Sequence, residues 1–220
     1  MTQYDDTGVA KSTQTGGNME RLVKAGKISD IYYARLIPGE DILQAIYELC
    51  AKYEIRTGII LDGSGAGVDF TYQHFPFNKQ FIDPRLNVVI ATMEGKCEMS
   101  LQGTIGTTVV KLPEGKTADE VIDSMYPTIP GYLETVEDKW HMLGSMGGDG
   151  TPYVHAHCTA SNKDTTVCGH LMPGTRVGSG NPELPSHFTI VIAKVTGVEW
   201  QAVLDDQKNF FYQDIITTEE

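Results

Sequence analysis

One stretch, Tyr153 to Gly174 (YVHAHCTASNKDTTVCGHLMPG), limits more than any other what this chain can fold into. His155 and His157 are two apart, so in a β-strand both imidazoles leave the same face. His170 comes thirteen residues after His157, and between them the polar run Ser161-Asn162-Lys163-Asp164 suits a turn flanked by Thr- and Val-rich segments. That is a hairpin signal. With the turn centred between Asn162 and Lys163, His155 lies opposite His170 and His157 opposite Cys168. Cross-strand partners share a face, so three imidazoles and a thiol converge. A slip of one residue would send His170 to the other side.

Three neutral imidazoles brought together favour a divalent transition metal, zinc first, and a tetrahedral site with three histidine ligands keeps a fourth position for water or substrate. His155, His157 and His170 are therefore the candidate ligands, and Cys168 is the candidate fourth. A thiolate there would close the site and make the ion structural. The alternative is that the histidines are ordinary strand residues with backbone or carboxylate partners.

The other regions act as scaffold for this hairpin. A chain of 220 residues can bury a proper core and makes one domain, with room for one long excursion. Its 17 basic and 29 acidic residues give a formal charge of -12, which argues against a nucleic-acid surface or an anionic membrane as partner. No apolar run reaches membrane-spanning length and the first residues lack the apolar centre of a secretion signal, so a cytoplasmic location is expected. Cys50, Cys97, Cys158 and Cys168 form no CxxC pattern and read as reduced thiols.

Residues 1–28 are polar and rich in Gly, Ser and Thr, and read as a loosely ordered arm. Ile31 to Ile37 alternates as a strand, Pro38-Gly39 ends it, and Glu40 and Asp41 supply negative charge at a helix N-terminus. Ile42, Ile46, Leu49, Cys50 and Tyr53 then repeat at helical spacing. A second strand, Thr57 to Leu61, completes a strand-helix-strand unit. Gly63 to Gly67 follows; because the next residues, VDFTYQHF, do not open a helix, these glycines read as a tight turn with positive φ rather than a phosphate loop. His74 in that next strand reads as a packed or surface histidine. Leu86 to Thr92 and Glu98 to Val110 give two further strands, with a bend or bulge at Gly103 and Gly106. Thr117 and Glu120 have capping-box spacing for a short helix ending near Met125. From there to Gly150 a long connection suggests a lid or interface element, with Trp140 and His141 as packing residues. After the hairpin, 173–185 is a polar turn region. His187 to Val195 and Val198 to Leu204 are strands, and 206–220 is an acidic tail. The sum is an α+β fold: a mostly antiparallel twisted sheet of about eight or nine strands with one main helix, over a domain at 29–205.

The segments ARLIPGEDILQAI, RTGIILDGSGA, SLQGTIGT and GTPYVHAHCTASNKDTTVCGHLMPG together resemble the successive signatures of the plant-and-prokaryote-conserved (PPC) domain, from Ile31 to Leu204. The resemblance implies a homotrimer of compact α+β domains whose histidine cluster binds zinc. Plant members bind DNA through attached AT-hook segments; the AT-hook core Arg-Gly-Arg-Pro does not occur in this sequence. Cys168 stands where the family has the first glycine of Gly-Gly-His-Leu. The family often has a glutamate near Cys97, which makes the adjacent Glu98 the candidate general base. The motif also places Arg35 before the Pro-Gly turn, as a candidate for binding a substrate anion. The segment 112–150 is far longer than the family's usual link and is read as an insertion able to cover the metal site of its own or a neighbouring subunit. The function expected is a metal-dependent, zinc-first enzyme acting on a small carbonyl or carboxylate metabolite by hydrolysis or hydration/elimination. The rivals are a non-enzymatic metal- or metabolite-binding regulatory trimer and a DNA-binding protein.

Overall fold

The computed structural model describes residues 22–74, 89–125, 133–178, 187–205 and 210–218. In chain order the elements are β1 (Lys27–Leu36), α1 (Ile42–Lys52), β2 (Gly58–His74), β3 (Val89–Lys111), α2 (Ala118–Met125), α3 (Val136–Met142), β4 (Pro152–Ser161), β5 (Thr166–Leu171), β6 (Arg176–Val177), β7 (Phe188–Thr196), β8 (Val198–Asp205) and β9 (Phe210–Thr217). The strands form one sheet in the order β1-β7-β2-β5-β4-β3-β8-β9, with β6 beside β2 and β2 also paired to β3. Long β2 and β3 thus close a circuit of pairing through β4 and β5. The pairings are antiparallel except β3 with β8. The expected α+β class and strand number hold among the described residues. None of their helices is long and apolar enough to cross a membrane.

Helix α1 forms where its stripe demanded. Asp41 is its N-cap, accepting from the Gln44 N–H at 3.0 Å, and its other carboxylate oxygen accepts from Gly174 N at 2.6 Å. One residue thus starts the helix and ties it to the loop after the hairpin. Ile42, Leu43, Ile46, Tyr47 and Cys50 are buried against the sheet, among Ile60, Phe70, Leu101, Ile105, Ala156, Cys158, Phe188 and Ile190. Each large aliphatic so buried contributes about 1.5–3 kcal/mol. Tyr53, expected on that stripe, instead caps the helix and is exposed, resting on Tyr32 with ring centroids 4.8 Å apart.

Several expectations require correction. Gly63 to Gly67 is not a turn: β2 runs through it to His74. A side chain at Gly65 would strike the carbonyl of His187 on the neighbouring β7 side, so these glycines serve close approach of strands. The two strands expected around residues 86–110 are one, β3, because the residues between them stay paired. The irregularity there is absorbed by Gly95 (φ 83°) and by Asp69, whose carboxylate accepts from Gly95 N at 2.8 Å. The bulge expected at Gly103 lies opposite it, on β2 between Ile60 and Gly63. Strand β1 begins at Lys27, so the arm is shorter than 28 residues; residues 1–21 lie outside the described ones, as do 75–88, 126–132 and 179–186 with the parts of readings that fell there. The C-terminal segment taken as a tail contains β9, paired along all of β8.

The described residues of the 112–150 segment hold two helices rather than a plain loop. Helix α2 has the capping box expected, Thr117 Oγ1 accepting from Glu120 N at 3.3 Å and Glu120 from Thr117 N at 3.0 Å. Helix α3 was not foreseen. Its box uses Thr135 and Asp138, an aspartate where the usual pattern has Glu or Gln. Trp140 is a packing residue as expected, buried with its indole N–H donating to Asp119 at 3.0 Å, and His141 stacks on Tyr47. With Val121, Ile122, Leu133, Met142, Met172 and Leu204, Trp140 builds a second, smaller core on the sheet face opposite α1.

Candidate metal centre

The hairpin forms, but with a different register. His157 pairs with His170, Cys158 with Gly169 and Thr159 with Cys168, so its centre lies between Lys163 and Asp164. The cause is Asn162, whose side-chain oxygen accepts from Asp164 N at 2.9 Å and Thr165 N at 3.0 Å. Such an Asx turn makes Asn162 the first turn residue rather than a central one. The shift from the expected pairing is two residues, and an even shift keeps every side chain on its face. His155, His157 and His170 therefore still converge.

His155 Nε2 lies 3.2 Å from His157 Nε2, and one ligand atom from each of the three histidines lies within 4.8 Å of the others. Nitrogens held at about 2.0–2.1 Å around a tetrahedral zinc are about 3.3 Å apart. One edge already has that length, and the third nitrogen lies within 4.8 Å, so the donor types suit the ion and the spacing needs only a small side-chain closure. His170 Nε2 is buried and has no hydrogen-bond partner among the described residues, and neither has Gln73 Oε1 on the residue paired with it across β2 and β5. A buried polar atom left so costs about 1–3 kcal/mol, a deficit that a bound group relieves. Burial first, then the neighbouring His155 and His157, pushes the His170 pKa down to about 3. Burial, then His157, lowers that of His155 as well. Both rings are thus neutral, the form in which an imidazole can serve as a ligand.

A cavity of about 500 Å³ opens on these rings, walled by Gln73, His74, Tyr153 and Cys168 and by Met142 and Leu143 at the end of α3. Two residues of the 112–150 segment thus wall the cavity within the same chain. A larger depression, about 660 Å³, sits at the hairpin tip and holds no such donor set.

The other candidate residues are not gathered there. Glu98 shares the histidine face but pairs with Ser161, while His157 pairs with Gln102. Four residues along a strand put it about 13 Å away. It lines the tip depression instead. Arg35 is exposed on edge strand β1, beside Glu40, Glu48 and Lys52, with β7, β2 and β5 between it and β4. Cys168 is exposed and borders the cavity without joining the convergent set. Sequence reasoning missed Gln73, Tyr153 and Gln213. Tyr153 was legible, being two before His155. Gln73 required the β2–β5 pairing, and Gln213 sits in the segment taken as tail.

The fold and site together define a sheet domain with a three-imidazole cleft between its hairpin and the end of helix α3. Residues 23–118 match the model of the Plants and Prokaryotes Conserved (PCC) domain, the family that the motifs resemble, and the hairpin lies beyond the matched segment. The fold extends that likeness across the chain. A plant- and prokaryote-conserved protein of Pyrococcus horikoshii superposes with a TM-score of 0.52 at 17% identity, covering 83% of this chain and 90% of its own. A metal-containing protein of Archaeoglobus fulgidus gives 0.56 at 14%, covering 87% and 98%. A Salmonella enterica protein gives 0.51 at 15%, covering 88% and 97%. No curated protein matches in sequence.

Proposed function

We propose that His155, His157 and His170 hold a divalent transition ion, zinc first, in a site that keeps one position open, and that the protein is an enzyme for a small carbonyl or carboxylate metabolite. The carrying observation is three imidazole nitrogens converging in a cavity, with His170 Nε2 buried and unpartnered among the described residues. The Archaeoglobus relative's description as metal-containing supports this reading. Such an ion supplies Lewis acidity or a bound water acidic near neutrality, which suits hydrolysis, hydration or elimination. Gln73 offers an amide to orient a substrate oxygen or a water. Met142 and Leu143 keep bulk water off one wall.

A homotrimer is part of the proposal. Ile31 and Tyr33 on β1 and Ile59 and Leu61 on β2 are large apolar side chains left exposed, a surface suited to further copies. A second reading, a non-enzymatic metal- or metabolite-binding trimer, is favoured by the distance of Glu98 from the rings. Nucleic acid is not the partner proposed, given the charge of -12.

Metal analysis of the purified protein, with p-nitrophenyl acetate hydrolysis as a generic probe, tests the proposal. About one metal per chain, lost in H155A/H157A/H170A together with any hydrolysis, is the expected result. Full metal occupancy with no turnover on carbonyl or ester probes would favour the binding trimer. Failure to take up zinc or cobalt would remove both readings. Sedimentation equilibrium checks the trimer.

A further inference from the structure

The reading above uses one nitrogen of His155; the other nitrogen is held by a residue from the far end of the chain. Gln213 on β9 pairs with Ala202 of β8, which pairs with Thr108 of β3. Cross-strand partners share a face, so Gln213 points to the same side as Thr104, the partner of His155. Its amide nitrogen lies 2.9 Å from His155 Nδ1 and donates to Tyr153 Oη at 2.8 Å, while Tyr153 Oη is 3.2 Å from the same Nδ1. Three polar groups close a triangle behind the ring.

We infer that Gln213 is a positioning residue that selects the tautomer of His155, turning its amide over between the metal-free and the metal-bound site. With the amide nitrogen towards the ring, Nδ1 must accept, so the ring proton sits on Nε2. That proton points at His157 Nε2, 3.2 Å away, and the two rings hydrogen-bond to each other. In this state His155 has no lone pair for an ion. Coordination through Nε2 requires the proton on Nδ1, and Nδ1–H then needs an acceptor. A half-turn of the amide presents Oε1 in the place of the nitrogen, and Oε1 accepts from both His155 Nδ1–H and Tyr153 O–H. The two ends of an amide are nearly the same size, and Gln213 is exposed, so the rotation meets no packed wall. No bond is made or broken besides hydrogen bonds. The ring proton moves from Nε2 to Nδ1 through solvent.

This rests on the metal reading, and the experiment separates the two. Long-range proton–nitrogen NMR of histidine-labelled wild-type protein, with and without one equivalent of zinc, reads the tautomer directly. The expected result is His155 protonated on Nε2 without zinc and on Nδ1 with it. Competition with a chelator then measures zinc affinity of Gln213→Leu and Gln213→Glu. Loss of an outer partner of a ligating histidine costs about 10–100-fold in affinity, which is expected for leucine. Glutamate, which only accepts, is expected to bind at least as tightly as wild type and to hold the Nδ1–H tautomer even without metal. A role in packing β9 alone would weaken both variants and leave the tautomers unchanged, which would overturn the inference. So would wild-type zinc affinity in Gln213→Leu. If zinc binds and the His155 tautomer does not change, this inference falls and the metal site stands; if zinc does not bind, both fall.

Discussion

The two faces of the sheet are built from the same strands and solve different problems. Under α1 the core is almost wholly apolar: Tyr47, Phe70, Phe188, Ile46 and Leu101 are fully buried, and the one polar side-chain atom they carry, Tyr47 Oη, has no hydrogen-bond partner among the described residues. Under α2 and α3 the apolar cluster is smaller and shares its face with three imidazoles, two glutamines and a cavity. Lys139 is buried there against Asp123, and Trp140 leans on Asp119. The first face stores stability; the second uses some of it to keep polar atoms in a defined, incompletely satisfied arrangement. Alternation makes this possible, since Ala156 and Cys158 fill the core while His155 and His157, their neighbours in sequence, face the cavity.

That division can be broken from either side. Phe188→Ala should cost about 3–5 kcal/mol in denaturant unfolding, because the cavity it leaves lies in the rigid face. Zinc affinity of the folded fraction should stay near wild type; a comparable loss of both would mean that the faces are coupled. His157→Ala should do the converse. Its ring is exposed, so stability should move by under about 0.5 kcal/mol. Zinc affinity should fall at least about 100-fold, which is about 2.7 kcal/mol. Thr135→Ala, which opens the capping box of α3, should cost about 1 kcal/mol. Hydrogen exchange should show that loss in α3 and the cavity wall at Met142, and leave α1 protected.

The smallest expected effect concerns pH and lies away from both faces. Arg56 donates to both carboxylate oxygens of Glu199, each at 3.1 Å. Burial alone would raise the Glu199 pKa, but hydrogen bonds from Arg56 and Gln201 outweigh it and lower the value. A carboxylate lowered in the folded state contributes stability above its unfolded pKa, about 4.3, and loses it as pH falls through the depressed value. Since Arg56 is 61% exposed, the contribution is at most about 1 kcal/mol. Comparing acid unfolding of Glu199→Gln with wild type checks it: the wild-type advantage at pH 6 should shrink once pH falls below about 4.3 and vanish only below the depressed value.

What could be read from the sequence follows the range of the forces involved. Helix α1, the α2 capping box and the hairpin are written locally, in periodicity, caps and turn residues, and these were legible. The convergence of His155, His157 and His170 was legible too, because it depends on parity and not on the exact register. The Gly63–Gly67 run was misread as a turn because glycine serves tight turns and close strand contact alike, and only the neighbouring β7 decides between them. Glu98 was misplaced as a partner of the rings because a face is fixed by alternation, whereas position along the strand depends on where β3 meets β4. Gln73 and Gln213 reach the site through pairings separated by about half the chain or by its closing segment, and no local pattern carries them.

The Asn162 turn has a consequence for how this family of hairpins can vary. Chain length at the tip may change in steps of two codons without turning any imidazole away, since the ladder advances by whole pleats. A single-codon gain or loss must instead change the turn type at the tip, because a one-residue slip of the ladder would invert one arm and bring Cys158 or Gly169 round to the side of the rings. Hairpins that keep three facing histidines should therefore vary in the turn at the tip while the ladder beneath it keeps its parity.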